Sequence, residues 1–170
     1  MFVSVTDILR EELKTRGLPP AREQMRNLSA EWRRQYGLGV LIDKAKEAYD
    51  STQGYKGLAL ASLRNPGEVD SVHRYGGLVV WVDADAKVRY DRLQLNSHLR
   101  GAERGVDDNK SYAEFLEDEA AEMDHPVGGD NATLSLSGVK AKSDIFLVND
   151  GHSLEALAKD LDKQLNLEVQ

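Results

Sequence analysis

No cysteine occurs in the 170 residues, which excludes disulfides and thiolate metal sites and favours a reducing compartment, with the cytoplasm as the expected location. Long apolar runs are missing too. None approaches the roughly 18 residues of a membrane span, and the amino terminus has no basic stretch followed by an apolar segment and a cleavage site, so the chain reads as soluble, without a membrane partner. Basic runs are absent and the formal net charge is -7, which argues against a nucleic-acid partner. A local cluster of arginines would still suit a small phosphorylated ligand. Nowhere does Gly-x-x-x-x-Gly-Lys-Ser/Thr appear, the loop whose amides and lysine hold ATP phosphates. What is present is 41% hydrophobic content, enough for one globular domain with its own core, spanning residues 1–170.

Ser4-Val5-Thr6-Asp7 offers cap side chains ahead of Ile8, Leu9 and Leu13, and Gly17 with Pro19-Pro20 closes the segment, so a helix is expected at about 6–16. Met25, Leu28, Trp32 and Tyr36 then recur at helical spacing, with Arg22, Arg26, Arg33 and Arg34 between them. Residues 40–49 repeat the pattern before Ser51-Thr52-Gln53-Gly54 breaks it. Residues 57–63, 78–82 and 145–148 are nearly unbroken apolar runs, as expected of parallel strands covered on both faces. Helices are expected at about 86–100, at 111–123 behind the capping box Ser111-x-x-Glu114, and from 153 to about 165. The stretches 101–110 and 124–142 read as loops. Strands separated by such helices indicate an α/β fold with a mostly parallel sheet.

Four stretches, read in order, carry a resemblance: Ser4-Val5-Thr6-Asp7-Ile8-Leu9-Arg10, Ser62-Leu63-Arg64-Asn65-Pro66-Gly67-Glu68-Val69, Val82-Asp83-Ala84-Asp85 leading into Arg89-Tyr90-Asp91-Arg92, and Ser143-Asp144-Ile145-Phe146-Leu147-Val148-Asn149-Asp150-Gly151. Together they resemble the nucleoside monophosphate kinase and dephospho-CoA kinase branch of the P-loop kinases, including its AAA-type and dephospho-CoA-kinase-like proteins, over essentially the whole chain. The resemblance implies a three-layer α/β/α domain with a mostly parallel sheet. Acceptor-binding helices would lie at about 6–50 and a lid-like region at about 89–125. It also implies an opening strand, phosphate loop and helix that these residues do not supply. That first strand would lie between residues 57–63 and 78–82 at the centre of the sheet, and the opening is expected upstream of Met1, the chain being a truncated form. Roughly 20 to 25 residues would suffice for it.

By the same resemblance, Asp7 and Arg10 stand at the start of the substrate-binding helix, where an arginine one turn in reaches an acceptor phosphate as a forked donor. On residues alone, Arg10 reads equally as an exposed helix arginine beside Glu11 and Glu12. Arg64 follows a strand at the carboxyl edge, where ligands collect in open α/β sheets, and Asn65-Pro66 begins a helix whose amino terminus would share the phosphate. The alternative pairs Arg64 with Glu68 one turn later. Asp83 and Asp85 read as helix caps before magnesium contacts. Of Arg89, Arg92, Arg100 and Arg104, the resemblance selects Arg92 and Arg100 as lid arginines that stabilise the transferring phosphoryl group; a solvated basic face is the alternative. Asn149, Asp150 and Gly151 resemble the segment passing the adenine of ATP, and also suit any strand-to-helix turn. His98 and His125 stand alone, so no metal site is assigned. The acidic residues of 111–123 read as a solvated face.

Two functions follow from this reading. The resemblance implies an ATP- and Mg2+-dependent transfer of the γ-phosphate to a small phosphorylated or hydroxyl acceptor, provided a phosphate loop precedes Met1. The alternative is a non-catalytic relative serving as an anion-binding or protein-interaction module, with homo-oligomerisation left open.

Overall fold

In a computed structural model describing residues 1–95, 110–123, 129–151 and 153–165, short strands are separated by one to three helices. The elements are β1 (Phe2–Ser4), α1 (Val5–Thr15), α2 (Arg22–Tyr36), α3 (Val40–Asp50), β2 (Ala59–Ala61), α4 (Pro66–Arg74), β3 (Val80–Asp83), α5 (Ala86–Leu95), α6 (Tyr112–Met123), α7 (Leu136–Lys142), β4 (Ile145–Val148) and α8 (Leu154–Gln164). The protein is α/β, and its short strands pair in parallel: β1 with β2, and β3 with β4. It divides into two compact units, one of residues 1–79 and 122–142, the other of 80–121 and 143–170. Among the described residues no helix is long and apolar enough to cross a membrane.

In the first unit, α1 presents Val5, Leu9 and Leu13 to the interior, a spacing of four that keeps all three on one face. Gly17, at φ 68°, ends the helix as the sequence leads one to expect, and the Leu18 amide closes back on the Leu13 carbonyl at 2.8 Å. Leu28 and Trp32 from α2, and Val40, Leu41 and Ile42 from the start of α3, complete the buried cluster, against which Leu60, Leu63 and Val72 pack. Burying one such side chain stabilises the fold by about 1.5–3 kcal/mol. Where α3 begins, Gly39 lies so close to α4 that a Cβ there would come within 1.8 Å of the Ser71 hydroxyl.

One element differs from the sequence reading. The stretch expected as loop at 124–142 contains helix α7, which packs on α4. Ser137, Gly138 and the β-branched Val139 give it little intrinsic helix propensity, so packing decides. Val139 is buried there, and Gly138 fits against Pro66, to which a Cβ would come within 3.1 Å.

In the second unit the β3–β4 ladder runs in register from Val80 opposite Ile145 to Asp83 opposite Val148. The expectation of cover on both faces is not met. Ile145 and Leu147 are buried, whereas the alternate residues Phe146 and Val148 are exposed, as is Val82. Tyr90 of α5 meets Tyr112 and Phe115 of α6 at ring-centroid distances of 5.3 and 5.6 Å, which joins the two helices. Helix α5 is described to Leu95, and the rest of the expected 86–100 segment lies outside the described residues.

Candidate functional site

Because β1 and β2 are parallel, their carboxyl ends share one edge of the ladder, and both α1 and the turn into α4 leave from it. Ser4 and Ser62 mark that edge with hydroxyls 3.3 Å apart. Ser62 holds φ at 70°, in the left-handed region that a residue with a Cβ adopts only at a cost. Two residues later Arg64 and Asn65 turn the chain into α4. Asn65 accepts from the Gly67 amide at 2.9 Å, and Glu68 reaches back to accept from the amides of Arg64 at 2.7 Å and Asn65 at 3.2 Å, forming a capping box.

This turn is braced from two further directions. Arg33 of α2 donates to Glu68 at 2.7 Å and to the Ala132 carbonyl at 3.1 Å, with the guanidinium and carboxylate both buried. The Asn65 side-chain amide donates to the carbonyls of Asn131 and Thr133, each at 2.8 Å, and the Arg64 carbonyl accepts from the Ser135 amide at 2.9 Å. The backbone of Arg64 is therefore pinned on both sides while its side chain remains 40% exposed.

The guanidinium of Arg64 donates to Glu122 at 2.5 Å, and Arg22, the first residue of α2, lies 3.6 Å from the other oxygen of the same carboxylate. The pairing of the Arg64 side chain with Glu68 weighed from sequence is thus not the one formed, since Glu68 takes the backbone amide instead. The start of α4 is also capped by its own side chains. Asp7 and Arg10 pair with each other at 2.5 Å on the exposed side of α1, which rises from the same ladder edge as the Arg64 turn.

The second unit repeats the arrangement at the carboxyl edge of β3–β4. The Asn149 amide donates to the Asp83 carbonyl at 2.7 Å, and the Asp85 amide to the Asp150 carboxylate at 2.6 Å. Arg92 donates to the carbonyls of Asn149 at 2.6 Å and Gly151 at 2.5 Å, so a residue assigned to the lid and the three assigned to the nucleotide share one turn. Asp85 accepts from the Lys87 amide at 2.8 Å, a capping contact at the start of α5. Arg89 grips Glu119 with two hydrogen bonds of 2.8 and 2.6 Å and reaches Asp83 at 2.9 Å; the bond to Glu119 raises its pKa further above the ordinary arginine value. Arg100, Arg104, His98 and His125 lie outside the described residues.

Two of the participants, Arg33 and Glu122, are not visible from sequence reasoning. Arg33 reads as one more residue of a basic helix, and no local pattern distinguishes a buried arginine from an exposed one. Glu68 does carry a signal, the Asn-x-x-Glu box. Glu122 belongs to a helix read as a solvated acidic face, yet Glu119 and Glu122 each pair with arginines. A depression of about 590 Å3 on α2 is lined by Asn27, Ala30, Glu31, Arg34 and Gln35, all from one helix, so it does not bring groups together from different elements.

The 170 residues supply no P-loop for ATP phosphates and Mg2+. Phosphate binding of the P-loop type needs a row of glycine-rich amides, a lysine and a metal-binding hydroxyl, and the sequence contains no such loop. Among the described residues no three His, Asp or Glu side chains are grouped to hold a metal ion.

No family model matches the chain. It is similar to a UPF0200 protein of Pyrococcus abyssi, 27% identical over 165 residues, with 94% of this chain and 79% of that protein covered. A UPF0200 protein of Methanothermobacter thermautotrophicus is 28% identical over 151 residues, covering 88% of this chain and 68% of the relative. A third, from Pyrococcus horikoshii, is 27% identical over 131 residues.

Proposed function

We propose that this chain is the acceptor-binding part of a P-loop-kinase-like phosphotransferase of three-layer α/β/α type, and that Arg64 holds the anionic group of a small phosphorylated acceptor. The observation that carries this reading is the Arg64 turn. An arginine leaves the carboxyl end of a parallel strand with its backbone fixed by Glu68 and Ser135 and its guanidinium half-exposed. Arg10, with Asp7, is the second acceptor contact in this proposal, and Arg92 with Asn149, Asp150 and Gly151 forms the nucleotide-side turn. The chain's residues bind and orient the acceptor; no transfer step is assigned to them.

The test is phosphoryl transfer by the full-length natural protein, given γ-labelled ATP, Mg2+ and a panel of small phosphorylated and hydroxyl acceptors. Transfer that Arg64→Ala suppresses supports the reading, and acceptor binding without any transfer contradicts the phosphotransferase assignment.

The exposed apolar side chains Val82, Phe146 and Val148 favour a second reading, an interaction module. It predicts that the chain self-associates in sedimentation and that Phe146→Lys returns it to monomer.

A further inference from the structure

The carboxylate of Glu122 is held by two guanidinium groups from separate elements, Arg64 at 2.5 Å and Arg22 at 3.6 Å. Its side chain is only 17% exposed, while the two arginines are 40% and 51% exposed, so the carboxylate lies inward of the cations that bind it. Two guanidinium groups converge on one pair of oxygens, Arg64 as a hydrogen-bond donor and Arg22 as an ion-pair partner, and a carboxylate resembles two of the three terminal oxygens of a phosphate monoester. The ion pair does not build the Arg64 turn. That turn is fixed through backbone groups by Glu68, Asn65 and Ser135, none of which involves Glu122. The carboxylate can therefore leave without dismantling the turn, which is what separates an occupant from a structural partner.

We propose that Glu122 is an internal competitor that occupies the anion site of Arg64 and Arg22, and that a phosphate monoester binds by displacing it. Arg22 thereby becomes a second anion-binding residue. This inference rests on the reading of Arg64 as an anion contact and adds the regulation of that site. A site blocked for most of the time binds its ligand more weakly by the fraction of time it is free, so removing the blocking charge tightens binding. A phosphate dianion displaces the single negative charge of the carboxylate better than a monocarboxylate does, which gives the site its selectivity.

The experiment is a calorimetric titration of the whole chain with inorganic phosphate, and with acetate for comparison, using wild type, Glu122→Gln, Arg22→Ala, Arg64→Ala and the double variant Glu122→Gln/Arg64→Ala. Glu122→Gln keeps the shape of the side chain, and thermal melting of each variant checks folding; Glu122→Asp, which shortens the reach, serves in its place if the glutamine variant melts early. Phosphate binding is expected to tighten about tenfold or more in Glu122→Gln, to weaken in Arg22→Ala, and to be lost in the double variant, with acetate binding weaker throughout. If Arg64→Ala weakens phosphate binding while Glu122→Gln and Glu122→Asp leave it unchanged, the competitor proposal is overturned and the Arg64 reading stands. If neither Arg64→Ala nor Glu122→Gln alters binding, both fall.

Discussion

The Arg33 guanidinium lies 2.7 Å from the Glu68 carboxylate, and solvent reaches almost none of either side chain. Glu68 uses its second oxygen to fix the amides of Arg64 and Asn65, so this buried pair ties helix α2 to the turn that aims Arg64. Charges placed this deep are costly to desolvate and costlier to leave alone. Arg33→Met is therefore expected to lower stability by about 3–5 kcal/mol, since it strands the Glu68 carboxylate. In Arg33→Met/Glu68→Gln much of that loss should return, because the double change leaves no lone buried charge while the glutamine oxygen still accepts from the Arg64 and Asn65 amides. Urea denaturation of Arg33→Met, Glu68→Gln and the double variant measures both effects, and a double variant as unstable as the sum of the singles would contradict this account.

Ser62, at φ 70°, adopts a conformation that glycine takes without steric cost. Ser62→Gly is expected to leave stability unchanged or raise it by up to about 1 kcal/mol, and Ser62→Val to lower it by about 1–2 kcal/mol. Thermal melting curves decide, and a valine variant as stable as wild type would show that the strain is not there.

At the junction of α3 and α4 the close approach of Gly39 to Ser71 allows no larger residue, as a Cβ would stand 1.8 Å from the Ser71 hydroxyl. Gly39→Ala is expected to cost about 1–3 kcal/mol through overpacking. Adding Ser71→Ala should recover part of this, a coupling that a double-mutant cycle reads directly.

How legible this structure was in the sequence depends on how local each cause is. Helix α1 was legible because Leu9, Leu13 and Gly17 state its face and its end within a few residues. β4 was legible as an apolar run, but its exposed face at Phe146 and Val148 was not, since period and burial separate only when neighbours are known. Helix α7 was hidden because its stability comes from packing on α4 rather than from its own residues. Of the site, the Asn65–Glu68 box was visible as a pattern, while Arg33 and Glu122 act across long sequence separations that a linear reading does not reach.

The amino terminus of α6 carries its own pH dependence. The Ser111 hydroxyl, and after it the Ser111 amide, donate to Glu114 and hold its carboxyl below the usual carboxylate range. A depressed folded-state value means the contribution is present above the unfolded carboxylate value and is lost as pH falls through the lowered one. Hydrogen exchange of the first α6 amides is therefore expected to accelerate at acid pH in wild type, and Ser111→Ala should move that onset upward in pH. An onset unchanged in Ser111→Ala would count against the cap.

The most direct test of the central claim is the dissociation constant for inorganic phosphate in wild type and Arg64→Ala, measured on the same folded chain at the same salt concentration. A lost hydrogen bond to a charged group of about 1.5–3 kcal/mol predicts binding weaker by about ten- to a hundredfold. Equal affinity in the two proteins would contradict the assignment of Arg64 as the anion-binding residue.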